Sequence, residues 1–274
     1  MPTRQWGHDA TPKFAASNCG LDKKIMPEIY AILILFGVGT VAGFMNVTAG
    51  GGSTLTLPTL IFLGLDAALA NGTNRVAIII QNIAAVYSFK RDKYQQFDLS
   101  LKLSLLTLPG GIAGALIAVK ISNTLFQKIL GIVMIGIILS MIIPRSKISF
   151  DNSKDKKIGW TVALSMIFIG FYGGFIQVGV GFLLMAALNY LLKFDLVHVN
   201  MHKVFIVLVY TAPALLIFII SGDVKWTLGL SLAAGNALGG WWAAKASVKK
   251  GDRLIKTVLI VAILVMSLKL LSVF

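Results

Sequence analysis

The stretch GFMNVTAGGGSTLTLPTLIFLGLDAALANGTNRV, residues 43–76, decides how this chain folds. An apolar segment runs into it, breaks at Gly50, Gly51 and Gly52, and resumes as STLTLPTLIFLGL over residues 53–65. Crossing a bilayer core of about 30 Å takes about 20 helical residues at 1.5 Å each, so this resumed piece is too short to span. It reads as the second arm of a hairpin that enters and leaves on one side. The polar run ANGTN follows, and another apolar segment begins at Val76.

The second half of the chain repeats the pattern. GFMNVTAG at 43–50 aligns with GFIQVGVG at 174–181, matching Phe44 with Phe175, Asn46 with Gln177 and Gly50 with Gly181. LDAALANGTN at 65–74 aligns with FDLVHVNMHK at 194–203, and GGIAGALIAVKIS from Gly110 aligns with GNALGGWWAAKAS from Gly235. The second break, GVG at Gly179–Gly181, again precedes a short apolar piece, residues 182–193. Uncharged runs elsewhere fall near 29–48, 76–89, 99–119, 125–143, 158–178, 204–220, 226–244 and 254–273.

These runs predict an all-α integral membrane protein with two internal repeats, each a broken re-entrant hairpin plus three transmembrane helices. A hairpin leaves three crossings per repeat, so the second copy is inverted. The expected organisation is a polar N-terminal extension at 1–25, membrane repeat 1 at 26–147, a basic connecting loop at 148–157 and membrane repeat 2 at 158–274. The basic residues agree with inversion. Lys90, Arg91, Lys93, Arg145, Lys147, Lys154, Lys156, Lys157 and the cluster Lys245 to Lys256 all fall in loops on one predicted side, as cytoplasmic loops do.

Composition excludes other classes. Of 274 residues 57% are apolar and 13% charged, against about 25% charged in ordinary soluble domains. Twenty-five Lys and Arg against eleven Asp and Glu give +14, which in a soluble protein would suggest nucleic acid; here the loop placement explains it, and no nucleic-acid partner is expected. The single Cys19 permits neither a disulfide framework nor a thiolate metal site. His8, His198 and His202 make no metal constellation, no Walker-type GxxxxGK[ST] occurs, and no Ser-His-Asp arrangement is visible. No cofactor and no enzymatic activity are expected.

The breaks are where chemistry is expected, because interrupted backbone inside a membrane is tolerated only against protein or a polar cavity. Around the first break, Asn46, Thr48, Gly50, Gly51, Gly52, Ser53 and Thr54 are candidate substrate-binding residues, with Ser53 or Thr54 expected to cap the helix that follows and its free N–H groups to face an anion. Gln177, Gly179 and Gly181 are the candidates around the second. Arg75, His202 and Lys203, at the start of the second helix of each repeat, have no carboxylate within one turn and are expected to supply positive charge near the entrances. Gln81 and Asn82 are also polar inside an apolar run. Gly43, Gly114 and Gly239 are expected to serve close helix packing.

The block GTVAGFMNVTAGGGSTLTLPTLIFLGLDAALANGTNRVAIIIQN and its echo GFYGGFIQVGVGFLLMAALNYLLKFDLVHVNMHKVF resemble the TauE/SafE sulfite and organosulfonate exporter family, over residues 29–273. The glycine triplet followed by Pro58 and the polar stretch before the second helix carry the resemblance. It implies a multi-pass protein of the bacterial inner membrane that moves sulfite, sulfoacetate or related organic anions, the partners being a small anionic substrate and the lipid bilayer. A homodimer is compatible with it. The expected function is therefore secondary transport of small anions by alternating access, with an anion channel or a membrane partner of a sulfur-metabolism enzyme as alternatives.

Overall fold

The computed structural model describes residues 28–48, 51–91, 97–142 and 158–245. The extension at 1–25 with Cys19, Gly50, the loop at 148–157 and the run at 254–273 lie outside the described residues. Among the described residues all regular structure is helical: α1 (Glu28–Thr48), α2 (Ser53–Phe62), α3 (Ala67–Arg91), α4 (Phe97–Ala118), α5 (Asn123–Ile142), α6 (Trp160–Phe175), α7 (Val180–Leu192), α8 (Leu196–Ile220) and α9 (Trp226–Lys245). Three of these contain spans long and apolar enough to cross a membrane, Glu28–Asn46, Phe97–Ala118 and Val197–Ile220. The outside is apolar too: Leu33, Leu105, Ile132, Phe168 and Leu216 each leave more than half of their surface uncovered, as suits contact with lipid.

Two helices begin earlier than the uncharged runs indicate. α3 starts at Ala67 rather than near Val76, and α8 at Leu196 rather than near Val204. The intervening polar residues are the first turns of the helices, buried inside the protein: Asn71, Thr73, Asn74, Arg75 and His202 have no exposed surface. A helix satisfies its own backbone, so charge in the sequence need not end it when protein rather than lipid surrounds that turn. Asp195 caps α8, accepting from the N–H groups of Val197 and His198.

Small residues set how the helices pair. A Cβ on Gly239 would lie 1.8 Å from the Thr40 carbonyl oxygen, and one on Gly43 2.1 Å from that of Asn236, so α1 and α9 touch backbone to backbone. Between α4 and α6, a Cβ on Gly114 would lie 2.2 Å from the Phe171 oxygen and one on Gly174 2.0 Å from that of Gly111. The packing role expected of Gly43, Gly114 and Gly239 is what these distances describe.

The contacts also give directions. Thr227 donates to Glu28 and Ser231 to the Ile32 carbonyl, with Gly239 further along against Thr40, so α1 and α9 run parallel. α3 runs parallel to α9, with Gly229 beside Thr73 and Asn236 beside Gln81. α4 is parallel to α6 (Gly170 on Thr107, Gly174 on Gly111) and to α8 (Ser100 with His202, Gly111 with Tyr210). α3 and α8 are antiparallel: Gly72 meets Phe218 and Asp223, while Ile78, further along α3, shares an apolar cluster with Ile206 and Val207, earlier on α8. Hence α1, α3 and α9 point one way, and α4, α6 and α8 the other. One apolar cluster joins Leu35, Leu57, Phe126 and Leu232 of α1, α2, α5 and α9; another joins Leu103, Met166, Leu184 and Ile206 of α4, α6, α7 and α8. At the second break the chain passes from the first cluster, which holds Ile176 and Val178, to the second, which holds Val180.

Candidate functional site

The first break is held by an amide rather than by a hydroxyl cap. The Gly52 N–H donates to Asn46 Oδ1 at 2.6 Å, and Asn46 Nδ2 donates to Gln81 Oε1 at 2.9 Å. Ser53 and Thr54 do not cap α2: no side chain caps it, and the buried Thr54 hydroxyl instead donates to the Gly51 carbonyl at 2.6 Å. Inside the protein that hydroxyl proton needs an acceptor, and the preceding turn offers the nearest. Gly52 has ordinary right-handed geometry (φ −59°), so its need for glycine is steric. A Cβ there would lie 2.2 Å from the Ala42 oxygen, and one on Gly51 2.5 Å from the Phe182 ring at the start of α7. Gly50 and the side chain of Thr48 lie outside what is described.

The second break turns by left-handed backbone. Gly179 has φ 71°, and Gln177, which carries a side chain, has φ 66°, a conformation non-glycine residues seldom adopt unless their surroundings hold them there. Arg75 supplies that hold. Its Nη1 donates to Gln177 Oε1 at 2.6 Å and its Nη2 to the carbonyls of Gly174 at 2.5 Å and Gly173 at 3.1 Å. Asn71 Nδ2 donates to the Phe175 carbonyl at 2.7 Å, and Gln177 Nε2 to Thr211 Oγ1 at 3.2 Å. The carbonyls at the end of α6 carry the partial negative charge of a helix C-terminus, which suits a guanidinium. Phe218 covers Arg75, its ring centre 4.9 Å from Cζ. The expectation of an entrance charge is therefore corrected for Arg75: it is wholly buried and ties α3 to the end of α6. Only the fold could reveal this, because its acceptors are backbone oxygens about a hundred residues away in sequence.

Between the breaks is a cavity of about 50 Å3 whose polar lining is Asn46, Ser53, Gln81, Asn82, Gln177 and Lys203, with the Gly181 backbone beside them. The structure thus brings Asn46, Ser53, Gln177, Gly181 and Lys203 together, as candidates from both halves of the chain. Gly51, Gly52, Thr54 and Gly179 shape the breaks behind that lining. Lys203 is 6% exposed and Nζ donates to Asn200 Oδ1 at 2.6 Å. His202 faces elsewhere, buried with Nδ1 2.8 Å from Ser100 Oγ and its ring 4.7 Å from that of Phe194, which removes it from both cavity and entrance. Among the described residues neither Arg75 nor Lys203 has a carboxylate partner, so Lys203 is a buried cation facing a cavity without a counter-charge of its own. Two further residues belong here. Gln81 lines the cavity and accepts a second bond, at 3.1 Å, from Asn236 Nδ2. Gln81 was visible in sequence as an amide in an apolar run, whereas Asn236 lay inside a small-residue stretch that reads as packing alone. Asn82 lines the cavity as well, with Nδ2 bonded to the Ile78 carbonyl of its own helix.

A family model described as sulfite exporter TauE/SafE matches residues 35–270 of this chain. The chain belongs to the TauE/SafE family. Three TauE/SafE-like relatives carry transporter names. "Probable membrane transporter protein YfcA" of Escherichia coli strain K12 is 30% identical over 240 residues, covering 87% of this chain and 88% of that one. "Probable membrane transporter protein ORF9" of a Sinorhizobium species is 26% identical over 244 residues, 89% of this chain and 93% of that one. "Probable membrane transporter protein YunE" of Bacillus subtilis strain 168 is 24% identical over 267 residues, 88% and 97%. No solved structure matches the TauE/SafE chain. The family and these names agree with a helical membrane transporter rather than an enzyme.

Proposed function

We propose that this protein is a multi-pass secondary transporter of the bacterial inner membrane that carries small sulfur oxyanions, sulfite first and sulfoacetate or other organosulfonates next, by alternating access. The observation that carries the reading is Lys203: a buried ammonium on a polar cavity between two helix breaks, with no carboxylate partner among the described residues. Leaving such a charge unpaired costs several kcal/mol, which a bound anion offsets. A water needs about 10 to 15 Å3 of such space, so about 50 Å3 suits a compact oxyanion of a few heavy atoms, while a longer sulfonate requires the cavity to open.

Inverted repeats at 26–147 and 158–274 are supported by the helix directions. α1, α3 and α4 correspond to α6, α8 and α9, every direction is reversed between the sets, and exchanging the sets turns the α1–α9 pair into the α6–α4 pair. The hairpins α1–α2 and α6–α7 then enter from opposite faces. The chain leaves α3, α5 and α9 at the same end, where the sequence carries its basic loops, so that end is the cytoplasmic one.

The test is uptake of labelled sulfite into vesicles holding the purified full chain. Saturable flux stimulated by sulfite on the far side supports the transporter; an ohmic current in a planar bilayer means a channel, and no flux with any oxyanion removes the anion reading. On a Cys19→Ser background, cysteines at Lys90 and Lys193 should react from one side and cysteines at Lys120 and Lys225 from the other. Lys90 and Lys193 on opposite sides would eliminate the inverted topology.

A further inference from the structure

We infer that Gln81 presents its side-chain NH2 to the cavity as an oxyanion-binding donor, oriented by the amides of Asn46 and Asn236. The inference rests on the anion reading above and adds a specificity-determining residue to that site.

The orientation follows from donor and acceptor chemistry alone. A backbone N–H can only donate, so the Gly52 N–H, 2.6 Å from Asn46, must meet the amide oxygen of that side chain. Asn46 therefore turns its NH2 toward Gln81, 2.9 Å away, and the atom it meets there must be an acceptor, Oε1. Asn236 Nδ2 donates to the same oxygen at 3.1 Å from α9. Both lone-pair directions of Gln81 Oε1 are then occupied, and its rotation is fixed from two sides. What remains is the NH2 group, with no hydrogen bond among the described residues, on a side chain that lines the cavity.

An amide pinned in this way offers two hydrogens and no acceptor. Across the same cavity, Lys203 offers only donors. A fully ionised oxyanion, with several oxygens and no proton to give, satisfies both; a cation does not. The arrangement also makes the first break part of the recognition. The Gly52 N–H is the first link of the relay that aims Gln81, so a change in the hairpin that pulls Gly52 from Asn46 frees the donor to turn away, and affinity follows the state of the break.

The experiment separates this role from a purely structural one. Gln81→Glu keeps an acceptor for both Asn46 and Asn236 and removes the donors, whereas Gln81→Met removes both functions. Equilibrium binding of labelled sulfite to the purified full chain is measured for wild type, both variants and Lys203→Gln, with melting temperatures alongside. We expect Gln81→Glu to melt near wild type and to bind sulfite at least about tenfold more weakly, since it loses a hydrogen bond to a charged group, worth about one to two factors of ten, and sets a carboxylate against the anion. Gln81→Met is expected to lose a similar factor if it folds, and Gln81→Glu decides the matter if it does not. Wild-type affinity in Gln81→Glu, with affinity lost in Lys203→Gln, overturns the donor role and leaves the anion site standing. Absence of sulfite binding in wild type overturns both.

Discussion

Arg75 and Lys203 are both cations buried within the helices α3 and α8, yet their surroundings assign them different work, and removing each should fail differently. Arg75→Gln deletes three charge-assisted donors, to Gln177 Oε1 and to the carbonyls of Gly173 and Gly174, together with the stacking on Phe218. Each acceptor left unmet inside the protein costs about 1 to 3 kcal/mol, and the gain from no longer burying a guanidinium offsets part of the sum. A net loss of about 3 to 5 kcal/mol is expected, matching the penalty for breaking a buried charged contact. At about 2 to 4 °C per kcal/mol for chains near this size, the melting midpoint should fall by on the order of 10 °C. Arg75→Lys should fall part of the way, because an ammonium cannot reach three acceptors with the planar fork of a guanidinium. Thermal unfolding in detergent, followed by tryptophan fluorescence and by size-exclusion recovery, reads this directly. If Arg75→Gln melts as wild type does but loses sulfite affinity as Lys203→Gln does, Arg75 is a ligand of the anion and the cap on α6 is incidental.

Lys203→Gln should fold and weaken sulfite binding by about 1 to 3 kcal/mol, with Lys203→Arg retaining part of the attraction; equal affinities in wild type and Lys203→Gln would remove Lys203 from the site. Gly239→Ala should destabilise the protein by about 1 to 3 kcal/mol through overpacking, whereas Gly136→Ala, whose Cβ would meet nothing within 4 Å, should melt like wild type. Asp223, in the turn before α9, has its carboxyl raised above the ordinary 3.8 by burial, with a smaller push from Asp66. A raised carboxyl favours the protonated form in the folded state, so ionised Asp223 costs stability at every pH above its folded-state value and nothing below about pH 3.8. Asp223→Asn should therefore melt slightly higher than wild type at neutral pH, and the difference should vanish on acidification; a difference that persists at low pH would show that it has another origin.

The two breaks were legible because glycine clusters interrupt runs too apolar to be loops, and the packing glycines because small residues on charge-free segments let helices approach closely. The starts of α3 and α8 were not. Asn71 to Arg75 and His198 to Lys203 look like interfacial loops when polarity is scored residue by residue, since nothing local says that α6 or α4 covers them. The same blindness concealed the work of Arg75, whose acceptors are carbonyls shared by every residue type and so leave no trace in sequence. Gln81 was visible as an anomaly, but its role depends on Asn236, which reaches it from α9, 155 positions away. Long-range polar geometry of this kind is decided by helix direction, and direction follows from the pairing of small residues across the two halves.

That pairing also sets a timetable for assembly. α1 finds its backbone partner in α9, with Glu28 and Thr227 separated by 199 positions in the chain. At about 5 to 20 residues per second of synthesis, α1 waits about 10 to 40 s in the bilayer with its glycine face unmatched. The first half on its own has α4 without α6 as well, so a ribosome stalled midway leaves two helices whose grooves fit nothing yet made. Separately expressed halves should be degraded when produced alone and survive when produced together.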